Sequence, residues 1–311
     1  MGGLWRRRAA RQMVYGLIPL LAIGAAMVVV LIIHLGHVAA PVNAATQTTR
    51  ATVVASQLGA DHHEIDLSWT DNRSARHTSR LRFPGSGKVT AGTTVDLHYN
   101  PDDVTQVFVN GDAASTRVRD LTTDVGVVFL VTLAALVATA VRTGRRRLAE
   151  RRPATDRRMS VSHSRRGLTT RTWLTETDAG QTWWQPVYWD PALDTLDPDR
   201  PYPVHGAANP RAPRVVEIDG TPIWPAGRRR TRAPRGELTR ADGPRDEPRR
   251  VSLRRHLVGD LPPVFAAPLL GLLWAYFDNA GSNGFWASTV VLAGVLFWLP
   301  SVYASDPVGP E

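Results

Sequence analysis

Apolar residues fall into four dense blocks along the chain, and the stretches between them are polar or alternate in polarity. Residues 13–36, MVYGLIPLLAIGAAMVVVLIIHLG, carry no Asp, Glu, Lys or Arg. Residues 121–141, LTTDVGVVFLVTLAALVATAV, carry one acid, Asp124, close to their start. Residues 261–277, LPPVFAAPLLGLLWAYF, and 284–304, GFWASTVVLAGVLFWLPSVYA, complete the set. Crossing a hydrocarbon core takes roughly 20 apolar residues in helix. The pattern predicts transmembrane helices at 13–36, 121–141, 261–277 and 284–304, the third at the short limit. The last two are joined by DNAGSN (278–283) and should pack antiparallel.

Between the first two blocks the period changes to two. In HHEIDLSWT (62–70), His63, Ile65, Leu67 and Trp69 point one way and Glu64, Asp66 and Ser68 the other, which is strand patterning. Residues 49–58, 75–83, 95–99 and 105–111 read as four more short strands, with Gly85, Gly87 and Gly92 in the connections. Five such strands predict a small antiparallel β sandwich or open barrel within 37–120.

Charge then orients the helices. The chain has 311 residues and a formal net charge of +9. Arg6, Arg7, Arg8 and Arg11 precede the first block, and Arg142, Arg145, Arg146, Arg147, Arg151 and Arg152 follow the second. Residues 142–256 hold 25 Arg against 14 acids, whereas 38–120 hold 8 basic and 9 acidic residues. Basic flanks stay on the cytoplasmic side. The expectation is a multi-pass plasma-membrane protein of class α+β with both termini cytoplasmic. Its segments 1–12, 142–172 (a basic linker), 173–227, 228–258 and 305–311 are then inside, and 37–120 and 278–283 outside. The first block is longer than a signal-peptide core. Cleavage near Ala39–Ala40 or Ala44–Ala45 would leave the same orientation downstream.

The segments ATVVASQLGADHHEIDLSWTD, RLRF and GTTVDLHYNPDDVTQVFV resemble the DUF3592 type of extracytoplasmic domain. The specific part is carried by Gly92, Val95, Leu97, Tyr99, Asn100, Pro101 and Asp103. The resemblance implies a small β domain between two transmembrane helices, covers about 13–141, and brings no catalytic residue. The arginine-rich section after it is additional to that pattern. A chain whose only lysine is Lys88 also suggests the GC-rich coding of actinobacteria.

Asn100–Pro101–Asp102–Asp103 reads as a turn, because proline presets one dihedral and Asn and Asp bond to their own backbone. His62, Glu64 and Asp66 share a strand face and are the best metal-like set. A solvated polar face is the preferred reading. His34 and His37 share a face at the end of the first helix and need no cofactor there.

In the inner section, Arg145, Arg146 and Arg147 are placed for contact with anionic lipid headgroups. The aromatic density lies in TWWQPVYWDPALDTL (182–196). Trp183, Trp184, Tyr188 and Trp189, with Trp224, form the candidate interaction set. A compact patch packed on its own module is preferred to a docking surface, and an aromatic ligand cage stands last. Asp219–Gly220 in VVEIDGTPIWPAG (215–227) marks a tight hairpin. Residues 173–227 therefore form a small, irregular β-containing module. RRRTRAPRGELTRADGPRDEPRR (228–250) has almost no apolar residues and reads as a disordered linker, followed by a short amphipathic helix at 251–261.

The chain has no cysteine, which excludes disulfides, thiolate chemistry and cysteine-ligated metals. It contains no phosphate-binding glycine loop, no H-E-x-x-H, no G-x-S-x-G and no dinucleotide fingerprint. Its arginines are not interleaved with exposed aromatics in a nucleic-acid pattern. The reading is a non-enzymatic accessory protein of the cell envelope. Its partners are membrane lipids and another membrane protein, with no cofactor and no nucleic acid. The alternative is a sensor whose outer domain binds a ligand and signals inward.

Overall fold

The computed structural model describes residues 7–83, 89–166, 169–178, 180–206, 209, 211–241, 243–278, 281–304 and 306. Arg6, Gly85, Gly87, Lys88, residues 279–280 of the last loop and most of the 305–311 tail lie outside them. Among the described residues, four helices are long and apolar enough to cross a membrane, and they cover the four blocks read from the sequence but for Ala304. Contacts divide the chain into two units, 25–130 and 1–24 with 131–311.

The first unit holds a sheet flanked by helical segments. Helix α1 (Arg8–Ala44) runs past the expected end at residue 36 and delivers the chain to β1 (Gln47–Leu58). Strands β2 (Glu64–Thr70), β3 (Arg76–Arg82), β4 (Thr94–Tyr99) and β5 (Val107–Val109) follow. All five pair antiparallel in the order β3-β2-β1-β4-β5. Among the described residues this is one sheet, not two facing sheets. Its buried face is the predicted one: Ile65, Leu67 and Trp69 join Val53, Leu97, Tyr99, Val107 and Val109 in a single core. Trp69 is fixed by stacking on His77, with ring centroids 4.6 Å apart, and by its indole N–H on Ser79 Oγ at 3.0 Å. Asp112 closes the domain and starts helix α2 (Ala113–Glu150). One of its carboxylate oxygens accepts from Ser115 N at 2.7 Å and the other from Val109 N at 2.9 Å. It thus satisfies one of the helix's orphan donors.

The second unit begins where the helices pack. Gly24 faces Thr132, and an added methyl there would collide with the threonine side chain. Ala135, Leu17 and Leu20 form a small core against Trp298. Small-residue packing between the helices is thus carried by Gly24 and Ala135, while Ala134 and Ala140 are exposed.

Helix α2 continues to Glu150 and leads directly into sheets. Strands β6 (Ala154–Arg158), β10 (Pro201–His205), β11 (Val215–Ile218) and β12 (Thr221–Ile223) form one, ordered β12-β11-β10-β6. Strands β7 (Ser160–Arg166), β8 (Thr169–Asp178), β9 (Gln181–Val187) and β13 (Glu237–Arg240) form the other, ordered β13-β7-β8-β9. Both contribute to one core around Leu174, Val187, Trp189, Tyr202, Val216 and Ile218. The β11–β12 turn is the predicted Asp219–Gly220, with φ of 46° and 78°. Two positive φ values are what a tight primed turn requires.

Two expectations are corrected here. Residues 142–172 are not a linker: they complete α2 and supply β6, β7 and part of β8. The stretch 228–250 is not free of structure either. Arg230 exchanges two backbone hydrogen bonds with Trp184, at 2.7 and 3.0 Å, and β13 pairs with β7. Arg249 grips the buried Asp194 through its guanidinium, the closest bond being 2.7 Å. Composition misleads because this segment is ordered by ladders and charged hydrogen bonds, which need no apolar side chains. The short helix expected at 251–261 is α3 (Leu253–Gly259), capped by Ser252 Oγ on Arg255 N. After a 3-10 turn (Pro262–Ala266) come α4 (Ala267–Asp278) and α5 (Gly281–Tyr303).

Candidate functional site

Within the second unit, three helix ends converge on the aromatic residues of the module. Strand β9 carries Trp183 and Trp184, its continuation carries Tyr188 and Trp189, and the end of β12 carries Trp224. Tyr188, Trp189 and Trp224 are each about 1% exposed. They are interior residues, so the compact-patch reading describes their geometry.

Each ring meets an arginine from a helix. Arg8, at the start of α1, lies 4.6 Å from the Trp189 ring centroid. Arg146, near the end of α2, lies 4.7 Å from the Tyr188 ring and 5.9 Å from the Trp224 ring. Arg7 lies 5.5 Å from Trp224. Cations over desolvated aromatic faces contribute up to about 2 kcal/mol each. Hydrogen bonds fix the same groups. Arg146 Nε donates to Pro225 O at 2.8 Å. Glu150, in the last turn of α2, accepts from both the Trp224 indole and Arg7. Arg8 donates to Val251 O at 2.5 Å.

The end of α5 is tied in the same way. The Tyr188 hydroxyl lies 3.0 and 3.2 Å from the carbonyls of Ser301 and Val302. Those carbonyls belong to the last turn, where helix acceptors have no backbone N–H donor of their own. Arg171 sits 5.1 Å over the Tyr303 ring. Asp306 accepts from Thr172 Oγ1 at 2.7 Å and contacts His163 Nδ1 at 2.8 Å. His163 is therefore occupied structurally, and Trp173 donates to Ser164 Oγ at 2.8 Å.

A cavity of about 260 Å³ remains beside this joint, lined by Arg7, Arg8, Trp189, Asp190 and the β11–β12 hairpin. Burial pushes the Asp190 carboxyl above the usual carboxylate range, with the Ala192 backbone N–H and the charges of Arg8 and Arg11 opposing it. Burial likewise raises the Tyr188 phenol. The neighbouring β8–β9 face buries Glu176, which pairs with Arg229, with Arg214 at 3.4 Å and with Arg157 at 3.7 Å. Arg229 also covers the Trp183 ring at 4.9 Å, and its burial holds its guanidinium below the usual arginine range.

The other sequence candidates are placed as follows. Arg146 is 6% exposed and bonded within the protein, so it is withdrawn from the lipid headgroup set; Arg145 and Arg147 remain at the end of α2. Tyr99 is buried, and its hydroxyl accepts from Asn72 N at 3.1 Å. Asn100 Oδ1 accepts from Asp102 N at 3.0 Å, and Asp103 Oδ1 accepts from Thr105 Oγ1 at 2.6 Å. The Thr105 hydroxyl bond is the main reason the Asp103 carboxyl lies below its usual range. Pro101 sits in the turn these bonds define. Asp66 is engaged by Arg80 at 2.8 and 3.0 Å, and His62 Nδ1 lies 3.1 Å from Gln57 O. No metal-holding group of three His, Asp or Glu is found among the described residues.

The pairing of Arg7, Arg8, Arg146 and Glu150 with the aromatic set was missing from the sequence reading. Its signal was available: a basic residue flanking each of two helix ends, and a run of aromatics too dense for its polar surroundings. Comparison with protein-family models finds no match, and comparisons with curated proteins and with solved structures find none either.

Proposed function

We propose that the protein is a non-enzymatic, multi-pass plasma-membrane protein of the cell envelope that acts through contacts with a membrane-protein partner. In this reading its termini and the 151–251 module are cytoplasmic and the 45–112 domain is extracytoplasmic, which the arginine flanks support. The 45–112 domain is of the DUF3592 type, and membrane lipids surround the helices. The observation that carries the proposal is the joint. Arg8, Arg146 and Glu150 fasten the ends of α1 and α2 to Trp189, Tyr188 and Trp224. A module so fixed to its helices is a platform of defined orientation, which is what an accessory subunit presents to a neighbour.

One observation favours a sensor as a second reading. A relay needs order where α2 leaves the membrane, and the stretch after Arg151 is strand rather than linker. The two readings separate experimentally. The protein is purified from its native membrane in mild detergent after cross-linking, and co-eluting proteins are identified by mass spectrometry. A reproducible stoichiometric partner supports the accessory role. A monomer or homodimer alone rejects it, and ligand screening of residues 45–115 then tests the sensor.

A further inference from the structure

A second concavity lies apart from the joint, where the start of α1, the short helix α3 and the later part of α5 meet. Its volume is about 600 Å³, and its walls are mostly aliphatic and aromatic: Tyr15, Leu257, Val258 and Phe297 among them. Two cations stand on it, Arg11 and Arg254, and no acidic residue among the described ones lines it. Arg11 Nε is buried without a hydrogen-bond partner among the described residues. Val258 is 56% exposed, so the groove opens outward.

Its place along the helices selects the occupant. Arg11 and Tyr15 are one turn apart at the very start of the apolar run of α1, and α3 opens the helical stretch Leu253–Phe277 of spanning length. That is the depth at which headgroups give way to acyl chains. A peptide of an acidic partner would match the arginines but not a wall that continues into an apolar span. A zwitterionic lipid would match the wall but carries a compensating cation. We propose that this groove binds one anionic phospholipid, its phosphate between Arg11 and Arg254 and an acyl chain along Leu257, Val258 and Phe297. Arginine forks fit phosphate oxygens, and the groove gives that charge pair an apolar anchor that a flat basic surface lacks. The inference rests on the reading of these helices as membrane-embedded.

The test uses the full chain in mild detergent, titrated with phosphatidylglycerol or with phosphatidylcholine of identical chains and followed by native mass spectrometry. The expected result is one phosphatidylglycerol retained in preference. Arg11→Gln and Arg254→Gln each weaken it about fivefold, the equivalent of roughly 1 kcal/mol per headgroup arginine. Leu257→Trp, which fills the groove and leaves both arginines, abolishes the preference. Arg232→Gln, exposed on the module, leaves it unchanged. Equal retention of the two lipids, or a preference that survives all three groove variants, overturns the proposal. Circular dichroism of each variant separates misfolding from lost binding. Should Leu257→Trp misfold, Val258→Trp at the exposed rim tests the same wall. Carbonate extraction of native membranes separates the two layers of the argument. A chain released as soluble protein refutes the membrane reading, whereas a retained chain without lipid preference refutes the groove alone.

Discussion

The two β regions reach order by different routes. In the 45–112 domain, strands adjacent in sequence mostly pair, and the side-chain bonds stay within the domain: His77 reaches Asp71 over 6 residues, Arg80 reaches Asp66 over 14 and Thr48 reaches His98 over 50. In the 151–251 module the decisive bonds are distant. Arg146 meets Pro225 over 79 residues, Tyr188 meets Ser301 over 113, and Arg8 meets Val251 over 243. Every cation–aromatic pair found among the described residues lies in the second unit. The lesson is that a half-buried sheet can stabilise itself through apolar alternation. A module rich in arginine adds to its apolar core by matching charges to rings, carbonyls and the occasional buried acid.

The strongest way to break the comparison is to remove one large ring from each region. Trp224→Ala and Trp69→Ala should each cost about 3–5 kcal/mol, the usual range for deleting a buried tryptophan. Their consequences should differ. Trp69→Ala is expected to expose only the 45–112 domain to limited proteolysis. Trp224→Ala should also release Glu150 and Arg7 and open cleavage near Arg151. Identical fragment patterns would mean that the joint is not a separate element.

A buried charge sharpens the contrast next. Glu176→Gln leaves Arg229, Arg214 and Arg157 around a neutral amide, and thermal unfolding should show a loss of about 3 kcal/mol, as when one member of a buried ion pair is removed. A change within error would show that water screens this network.

Asp190→Asn should act in the opposite direction, with a smaller effect. Burial raises the folded-state pKa of Asp190 above its unfolded value, so the native state holds the proton more tightly and stability falls as pH rises through that window. Asparagine preserves the bond to Ala192 N that starts the following turn and removes the charge. The variant should gain stability relative to the parent at neutral pH and lose that advantage below the ordinary carboxylate pKa. An advantage independent of pH would reject burial as the cause.

The smallest effect belongs to the exposed pair in the first domain. Arg80→Ala removes the Asp66 bridge from a solvent-facing strand, where water and salt screen such pairs. Denaturant melts should show a shift close to experimental error. A loss comparable with Glu176→Gln would erase the distinction between the regions.

The same contrast explains what was legible beforehand. Ile65, Leu67 and Trp69 alternate with polar neighbours, and that period alone located β2 and the buried face. The four apolar blocks located the helices by length. Asp219–Gly220 located its hairpin because two residues there need positive φ. Residues 228–250 carried no such periodicity, since Arg230 is held by a backbone exchange with Trp184 and Arg249 by Asp194, 55 residues away. Arg146 was assigned to lipid from its neighbours Arg145 and Arg147, although one position on a helix turn was enough to bury it. Local sequence marks such residues as unusual but does not name their partners, which tertiary proximity selects.

The central claim is that the module is fixed to its helices by the arginine–aromatic joint. The chain contains no cysteine, so two introduced cysteines give a unique spin-label pair without background. With labels at the exposed Leu148 on α2 and the exposed Asp199 on the module, pulsed electron–electron resonance in nanodiscs should give one narrow distance, broadened by Arg146→Met. A broad distribution in the parent protein, unchanged by Arg146→Met, would contradict the account.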